Sequence, residues 1–153
     1  MEINTLHLIV PGTGVLGLII TFIIYSMIMK QSGGEGKVAD IARQIQLGAK
    51  VFMMREFKLL GIFAIVIGGA LFFKDQWEAV AFFFGAICSG IAGFIGMHAA
   101  TRANVRTAIS ARDKGAAPAL KTAFMGGSVM GLTIASMGLI GIGTLFLFFG
   151  KDE

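Results

Sequence analysis

The chain has 153 residues, 56% of them hydrophobic and only 14% charged, with a mean hydropathy of +0.81 and a net charge of +4. A soluble domain averages roughly 25% charged residues, and one of this size cannot hide so much apolar surface, whereas a membrane protein has no need to. The basic residues lie between apolar runs instead of in one stripe, which excludes a nucleic-acid footprint and makes them topology signals. The expected class is all-α, integral to the membrane, with four transmembrane helices and a cytoplasmic amphipathic extension before the second.

The first uncharged run, residues 3–29, holds 27 residues, long enough to span a hydrocarbon core of about 30 Å at about 1.5 Å per residue. Pro11 and Gly12 predict an irregular start, with the regular helix from Thr13 to Lys30. The run is too long for the apolar part of a signal peptide, and Glu2 stands where a basic start is expected. Residues 31–36, QSGGEG, read as a flexible turn. Residues 37–58 then read as an amphipathic helix, with Val38, Ile41, Ile45, Ala49 and Phe52 at i, i+3, i+4 spacing, lying on or projecting from the membrane surface.

Residues 59–73 are uncharged for only 15 positions, short for a span unless the helix continues from the amphipathic segment and Arg55 and Lys58 snorkel to the interface. Lys74, Asp75, Gln76 and Trp77 read as a short polar turn, with Trp77 suited to an interfacial belt. The third run, residues 79–101, is rich in small residues. Gly85, Ser89 and Gly93 form one ridge, and Ala92, Gly96 and Ala100 another, of the kind that lets helix backbones approach in lipid. No strand precedes these glycines and no Gly-Lys-Ser/Thr follows them, so they are not a phosphate loop. Cys88, the only cysteine, permits no internal disulfide and reads as a small core residue. Residues 102–120 form a second basic connection carrying Arg102, Arg106 and Arg112, with Ala116, Ala117 and Pro118 marking a turn. The last run, residues 122–150, carries a ridge of Gly127, Gly131 and Ala135. The spans are thus expected at about residues 6–30, 55–73, 78–101 and 121–149, and the cytoplasmic connections at 31–54 and 102–120.

Of the 13 Lys and Arg residues, six lie in or beside the first connection, five in the second, and only Lys74 and Lys151 on the opposite side. Positive-inside bias therefore puts both connections in the cytoplasm of a cell-membrane protein and both termini outside.

The uncharged runs contain no Asp, Glu, Lys or Arg, although pumps and carriers need ionisable groups at membrane depth. A rotary-ATPase proteolipid or a small multidrug exporter would need a buried carboxylate, so both are set aside. His98 is a candidate proton relay, but no carboxylate partner is visible, and a packed or interfacial histidine is the simpler reading; His7 reads as interfacial. Glu35, Asp40, Glu56 and Asp113 are scattered among bases, with no Mg²⁺ spacing. The basic residues offer contacts for anionic lipid headgroups or a phosphate, beside the plainer reading of topology and solvation. No catalytic, cofactor-binding or metal-binding residue is assigned.

Three collinear stretches nevertheless resemble the membrane-integral, ion-translocating pyrophosphatases: residues 41–58, IARQIQLGAKVFMMREFK; residues 93–112, GFIGMHAATRANVRTAISAR; and residues 119–132, ALKTAFMGGSVMGL. The core ANVRTA, residues 103–108, is the most specific. The match looks like the first four of that family's roughly sixteen helices. The resemblance implies a dimeric pump that hydrolyses inorganic pyrophosphate with Mg²⁺, in some members also with K⁺, and moves H⁺ or Na⁺ out of the cytoplasm. The family's ligands lie in Asp-rich motifs of the DVGADLVGK and DNVGDNVGD kind on later helices, and neither motif occurs here. No family catalytic residue can therefore be placed on this sequence, and His98 and Met54 stand where members often carry other polar or basic residues. The expected role is scaffold, in a truncated product, a fragment or one piece of a split protein, inactive by itself, with the lipid bilayer and the pump's remaining helices as partners. The alternatives are a stand-alone membrane interaction or regulatory subunit, and a module binding anionic lipid through its amphipathic helix.

Overall fold

A computed structural model describes residues 3–149, and the side chains of residues 8–148. The described residues form four helices: α1 (Ile3–Met29), α2 (Lys37–Lys74), α3 (Gln76–Lys114) and α4 (Ala116–Phe149). All four are long and apolar enough to cross a membrane.

Helix α1 does not start irregularly. Pro11 lies inside it, since one proline costs a helix one hydrogen bond and the flanking run of apolar residues carries the helix through. Thr13 Oγ1 donates to the Val10 carbonyl at 2.7 Å, a local partner within the same turn. The connection to α2 holds two glycines at positive φ, Gly34 at 86° and Gly36 at 56°.

The polar turn expected at residues 74–77 contracts to one residue. Asp75, with φ −155° and ψ 125°, donates its N–H to the Leu71 carbonyl at 2.8 Å and accepts from the Trp77 N–H through its side chain at 2.7 Å. It thus ends α2 and caps α3. Lys74 and Glu78 pair across the break at 2.9 Å. Likewise Ala116, Ala117 and Pro118 are not a turn before α4 but its first turn, where a proline lacks nothing that the helix needs. The break is Gly115 alone, at φ 89°, a conformation that a Cβ disfavours.

Helices α2 and α3 have 38 and 39 residues, about 57 Å each at 1.5 Å per residue, against a hydrocarbon core of about 30 Å. Because the tight turn at Asp75 joins them at one end, their excess length projects at the other. The start of α2 and the arginine-bearing end of α3 therefore share one membrane face.

The helices form an open row, α2 on α3, α3 on α4 and α4 on α1, bent so that α1 also meets α3, while α2 touches neither α1 nor α4 among the described residues. The seam follows a 3.5-residue period. On α4 the buried residues Ala119, Thr122, Gly126, Val129, Thr133 and Ser136 recur at alternating steps of three and four, with Gly141 and Gly143 buried beyond them; on α1, Gly14, Thr21 and Ile28 recur every seven. The centre of packing is Ile28, Ala99, Ala103 and Val129, flanked by Ile24, Tyr25 and Met125. Buried hydroxyls in the seam donate to the preceding turn of their own helix, Thr21 to Gly17 O at 2.9 Å and Thr133 to Val129 O at 2.6 Å. They therefore pack as small residues without an orphaned polar group. Most large apolar side chains, Phe22, Leu60, Ile65 and Phe124 among them, are exposed, as suits a surface solvated by lipid.

Candidate functional site

The polar residues converge where α3 leaves its uncharged run. Arg106 is buried, with 9% of its surface exposed. Its Nε donates to the Gln31 carbonyl at 3.2 Å, and its Nη1 donates to the Arg102 carbonyl one turn back at 2.9 Å. Gln31 is in turn held through its side chain: Thr122 Oγ1 lies 3.0 Å from Gln31 Oε1 and 3.0 Å from the Pro118 carbonyl. One arginine on α3, one glutamine just past α1 and one threonine on α4 thus tie three helices together at the same level. A guanidinium suits this place because its planar fork can serve two carbonyls while keeping its charge.

His98 lies one turn before Arg102 on α3, within the uncharged run of residues 79–101. Its ring stacks on Phe94, with centroids 6.0 Å apart and planes at 19°, and Tyr25 of α1 approaches to 6.3 Å. Two clefts meet at His98. One, of about 410 Å³, runs between α2 and α3 and is lined by Arg43, Lys50 and Arg102 over Leu47, Met53 and Phe94. The other, of about 380 Å³, is apolar and lies among α1, α3 and α4, beside Thr21, Tyr25 and Thr133. No carboxylate lines either cleft, so a relay through His98 has no acidic partner among the described residues. The side chain of His7 lies outside the described residues.

Of the scattered carboxylates, Asp113 is held by its neighbour: Arg112 donates to it through Nε at 2.6 Å and Nη2 at 3.1 Å. That bond, with the positive charge behind it, keeps the Asp113 carboxyl below the ordinary carboxylate range. Among the described residues no three His, Cys, Asp or Glu side chains come together.

The amphipathic stripe expected on residues 37–58 is split. Val38 and Ala49 turn inward with Ala42 and Met53, while Ile41, Ile45 and Phe52 face out. The small-residue ridges divide as well. Gly96 lies where an added Cβ would come within 2.9 Å of Met130, and Ala92 is buried, but Gly85, Gly93, Gly127 and Gly131 face open space. Cys88 is buried as expected, and Gly141 of α4 sits over its sulfur, an added Cβ there lying 3.7 Å away. Sequence reasoning counted Arg106 only as a topology signal and passed over Gln31 and Thr122. The signal for Thr122 was its place in the 3.5-residue period shared by Gly126, Val129 and Thr133.

The profile of the family described as inorganic H⁺ pyrophosphatase matches residues 15–153. The chain is similar to a K⁺-insensitive pyrophosphate-energized proton pump of Moorella thermoacetica, at 35% identity over 93% of this chain and 21% of that protein. It is also similar to a K⁺-stimulated pyrophosphate-energized sodium pump of Thermotoga maritima, at 41% identity over 83% of this chain and 18% of that protein. A third relative, a K⁺-insensitive pyrophosphate-energized proton pump of Methanosarcina mazei, is 36% identical over 94% of this chain and 22% of its own length. The chain spans about a fifth of the length of these relatives.

Proposed function

The chain belongs to the inorganic H⁺ pyrophosphatase family, and from that premise we propose that it is the N-terminal scaffold of a pyrophosphate-energised proton or sodium pump. In the whole pump, diphosphate hydrolysis drives ion export, and the reacting groups lie on helices other than these four. The observation that carries this reading is the family match across residues 15–153 of a chain whose uncharged runs hold no Asp, Glu, Lys or Arg. Mg²⁺, and K⁺ in some members, belong to that remainder, as does the pairing of two copies into a dimer.

The four helices supply a packed wall on which the catalytic helices stand. Arg106, Gln31 and Thr122 fix the register of three of them at one membrane face. We place that face in the cytoplasm and both termini outside, because the projecting halves of α2 and α3 carry most of the Lys and Arg.

The test has two arms. The 153-residue chain, purified and supplied with Mg²⁺, K⁺ and pyrophosphate, is expected to release no phosphate above background. Co-expressed with a relative's pump lacking its first four helices, it is expected to restore hydrolysis. Turnover by the chain alone, or failure to complement although both pieces reach the membrane, would overturn the scaffold reading. For orientation, an Asp113→Cys variant is expected to react with an impermeant maleimide only after the membrane is opened; labelling in intact cells would refute the layout.

A further inference from the structure

We propose that the cleft between α2 and α3 is a binding site for the headgroup of an anionic phospholipid. Arg43, Lys50 and Arg102 would take the phosphate, and Leu47, Met53 and Phe94 would flank the glycerol and upper acyl chain.

Depth comes first. Arg102 directly follows the uncharged run of residues 79–101, so the cleft straddles the level at which α3 leaves hydrocarbon. The turn at Asp75 makes α2 and α3 antiparallel. Arg43 on the incoming helix and Arg102 on the outgoing one therefore occupy the shallow end, and Met53 and Phe94 the deep end. Arg43 and Lys50 are seven residues apart, two turns along one face.

Charge is the second consideration. Three basic side chains line a space of about 410 Å³ that no carboxylate shares. The ion pairs of this protein are elsewhere: among the described residues they are Lys74–Glu78 and Arg112–Asp113. Arg102 spends one donor on the His98 carbonyl at 3.3 Å and keeps the rest of its fork. Cations gathered at a membrane interface without counter-charges attract anionic headgroups.

The floor of the cleft decides between a lipid and a free anion. A hydrated diphosphate gains nothing from Leu47, Met53, Phe94 or Met97, whereas an amphiphile matches both ends of the cleft. Location at a membrane face is required, but not at a particular one, so the site stands or falls independently of the orientation proposed above.

The experiment uses the full chain in micelles containing equimolar phosphatidylglycerol and phosphatidylcholine, with retained lipid read by native mass spectrometry. Wild type is expected to retain phosphatidylglycerol preferentially. Changing Arg43, Lys50 and Arg102 to Gln is expected to reduce that preference about fivefold per cation removed. Changing Lys37, Arg55 and Lys58 to Gln removes equal charge outside the cleft and is expected to cost clearly less, since it takes away only the diffuse attraction of surface cations and leaves the cleft intact. Equal losses in the two triple variants would overturn the site. A photoreactive residue at Leu47 in the otherwise unaltered chain gives a second reading in vesicles of the same lipids. It is expected to crosslink phosphatidylglycerol over phosphatidylcholine, while the same probe at Ile62 shows no preference; no difference between the two positions would also overturn it. Inorganic pyrophosphate at millimolar concentration is expected to leave the lipid in place, and its displacement of the lipid would make this a free-anion site and refute the proposal.

Discussion

Replacing Arg106 with Ala should destabilise the packed chain by about 2–4 kcal/mol, a range built from its contacts. Of its two hydrogen bonds, only the one to the Gln31 carbonyl crosses between elements; the other returns to its own helix at Arg102. A hydrogen bond to a charged group contributes roughly 1.5–3 kcal/mol. The two buried methylenes beyond Cβ add about 0.8 kcal/mol each. Against these stands the desolvation of a guanidinium that no carboxylate compensates, which Arg106→Ala relieves. That relief offsets only part of the loss, which is why the expected range lies below the sum of the contacts, and Arg106→Met is the informative companion: it keeps the stem, relieves the desolvation and drops the bond. It should fall between wild type and Arg106→Ala, and Arg106→Lys, which keeps charge without the fork, close to it. Reversible unfolding in mixed micelles, followed by helicity, gives the energies. Hydrogen exchange at residues 31–34 gives a local reading, expected to quicken in all three variants because the connection loses its anchor. Arg106→Met as stable as wild type, with unchanged exchange at these residues, would show that the arginine ties nothing.

Gly14 and Gly17 should tolerate a methyl group unequally. At Gly14 the new Cβ would lie 2.8 Å from the Ser136 carbonyl oxygen, which is backbone and cannot step aside; at Gly17 it meets the Ser136 side chain. Gly17→Ala should therefore be largely rescued by Ser136→Gly and Gly14→Ala should not, each uncompensated variant losing about 1–3 kcal/mol in the same unfolding assay. The bond between Gln31 and Thr122 should appear as a coupling energy of about 1 kcal/mol in a double-mutant cycle of Gln31→Ala and Thr122→Val. Additive effects would deny it. The Asp113 carboxyl, held down by Arg112, should titrate below the usual value of about 3.9 when followed by NMR, and Arg112→Gln should return it upward. Because the folded-state value is depressed, whatever stability the pair gives is present above the unfolded value and lost only as pH falls through the folded one. The unfolding midpoint should accordingly show no step from this pair between pH 5 and 8.

The helices were legible because nothing competes with them: a long uncharged run in lipid must satisfy its backbone internally, and a helix does so. Their ends were less so. Asp75 and Gly115 each end one helix and open the next, and composition around them, KDQW and KGAAP, looks like a longer turn. Pro11 reads as a breaker, yet the apolar run around it keeps the helix intact. Hardest was the choice of packing face. In lipid the outside of a bundle is as apolar as its inside, so hydrophobic periodicity marked Ile41, Ile45 and Phe52 on α2, and these face out. The faces that do pack are marked by small and hydroxyl-bearing residues at a 3.5-residue period, and ridges read at a spacing of four miss Thr122, Thr133 and Ser136. Arg106 was visible as a charge but not as a buried one, since its partner at Gln31 is a backbone carbonyl that every residue possesses.

The open row bears on what the chain is for. A self-sufficient four-helix bundle would close by setting α1 against α2; here the two do not meet. The ridge of Gly85, Ser89 and Gly93 on α3 and that of Gly127 and Gly131 on α4 face outward with space for a Cβ. Between the same helices runs a further cleft of about 480 Å³, lined by Ala103, Asn104, Thr107, Ala123, Gly126 and Gly127. Lipid tails gain little from such a surface, whereas another helix can approach it closely and bond to Asn104 or Thr107. Outward small-residue faces of this kind suit a scaffold that is to be covered by more helices. If the scaffold reading holds, Gly127→Leu and Gly131→Leu should leave the unfolding energy of the chain alone within about 0.5 kcal/mol, as for surface changes generally, yet abolish complementation of a pump lacking its first helices. Complementation that survives both changes would remove this face from the assembly.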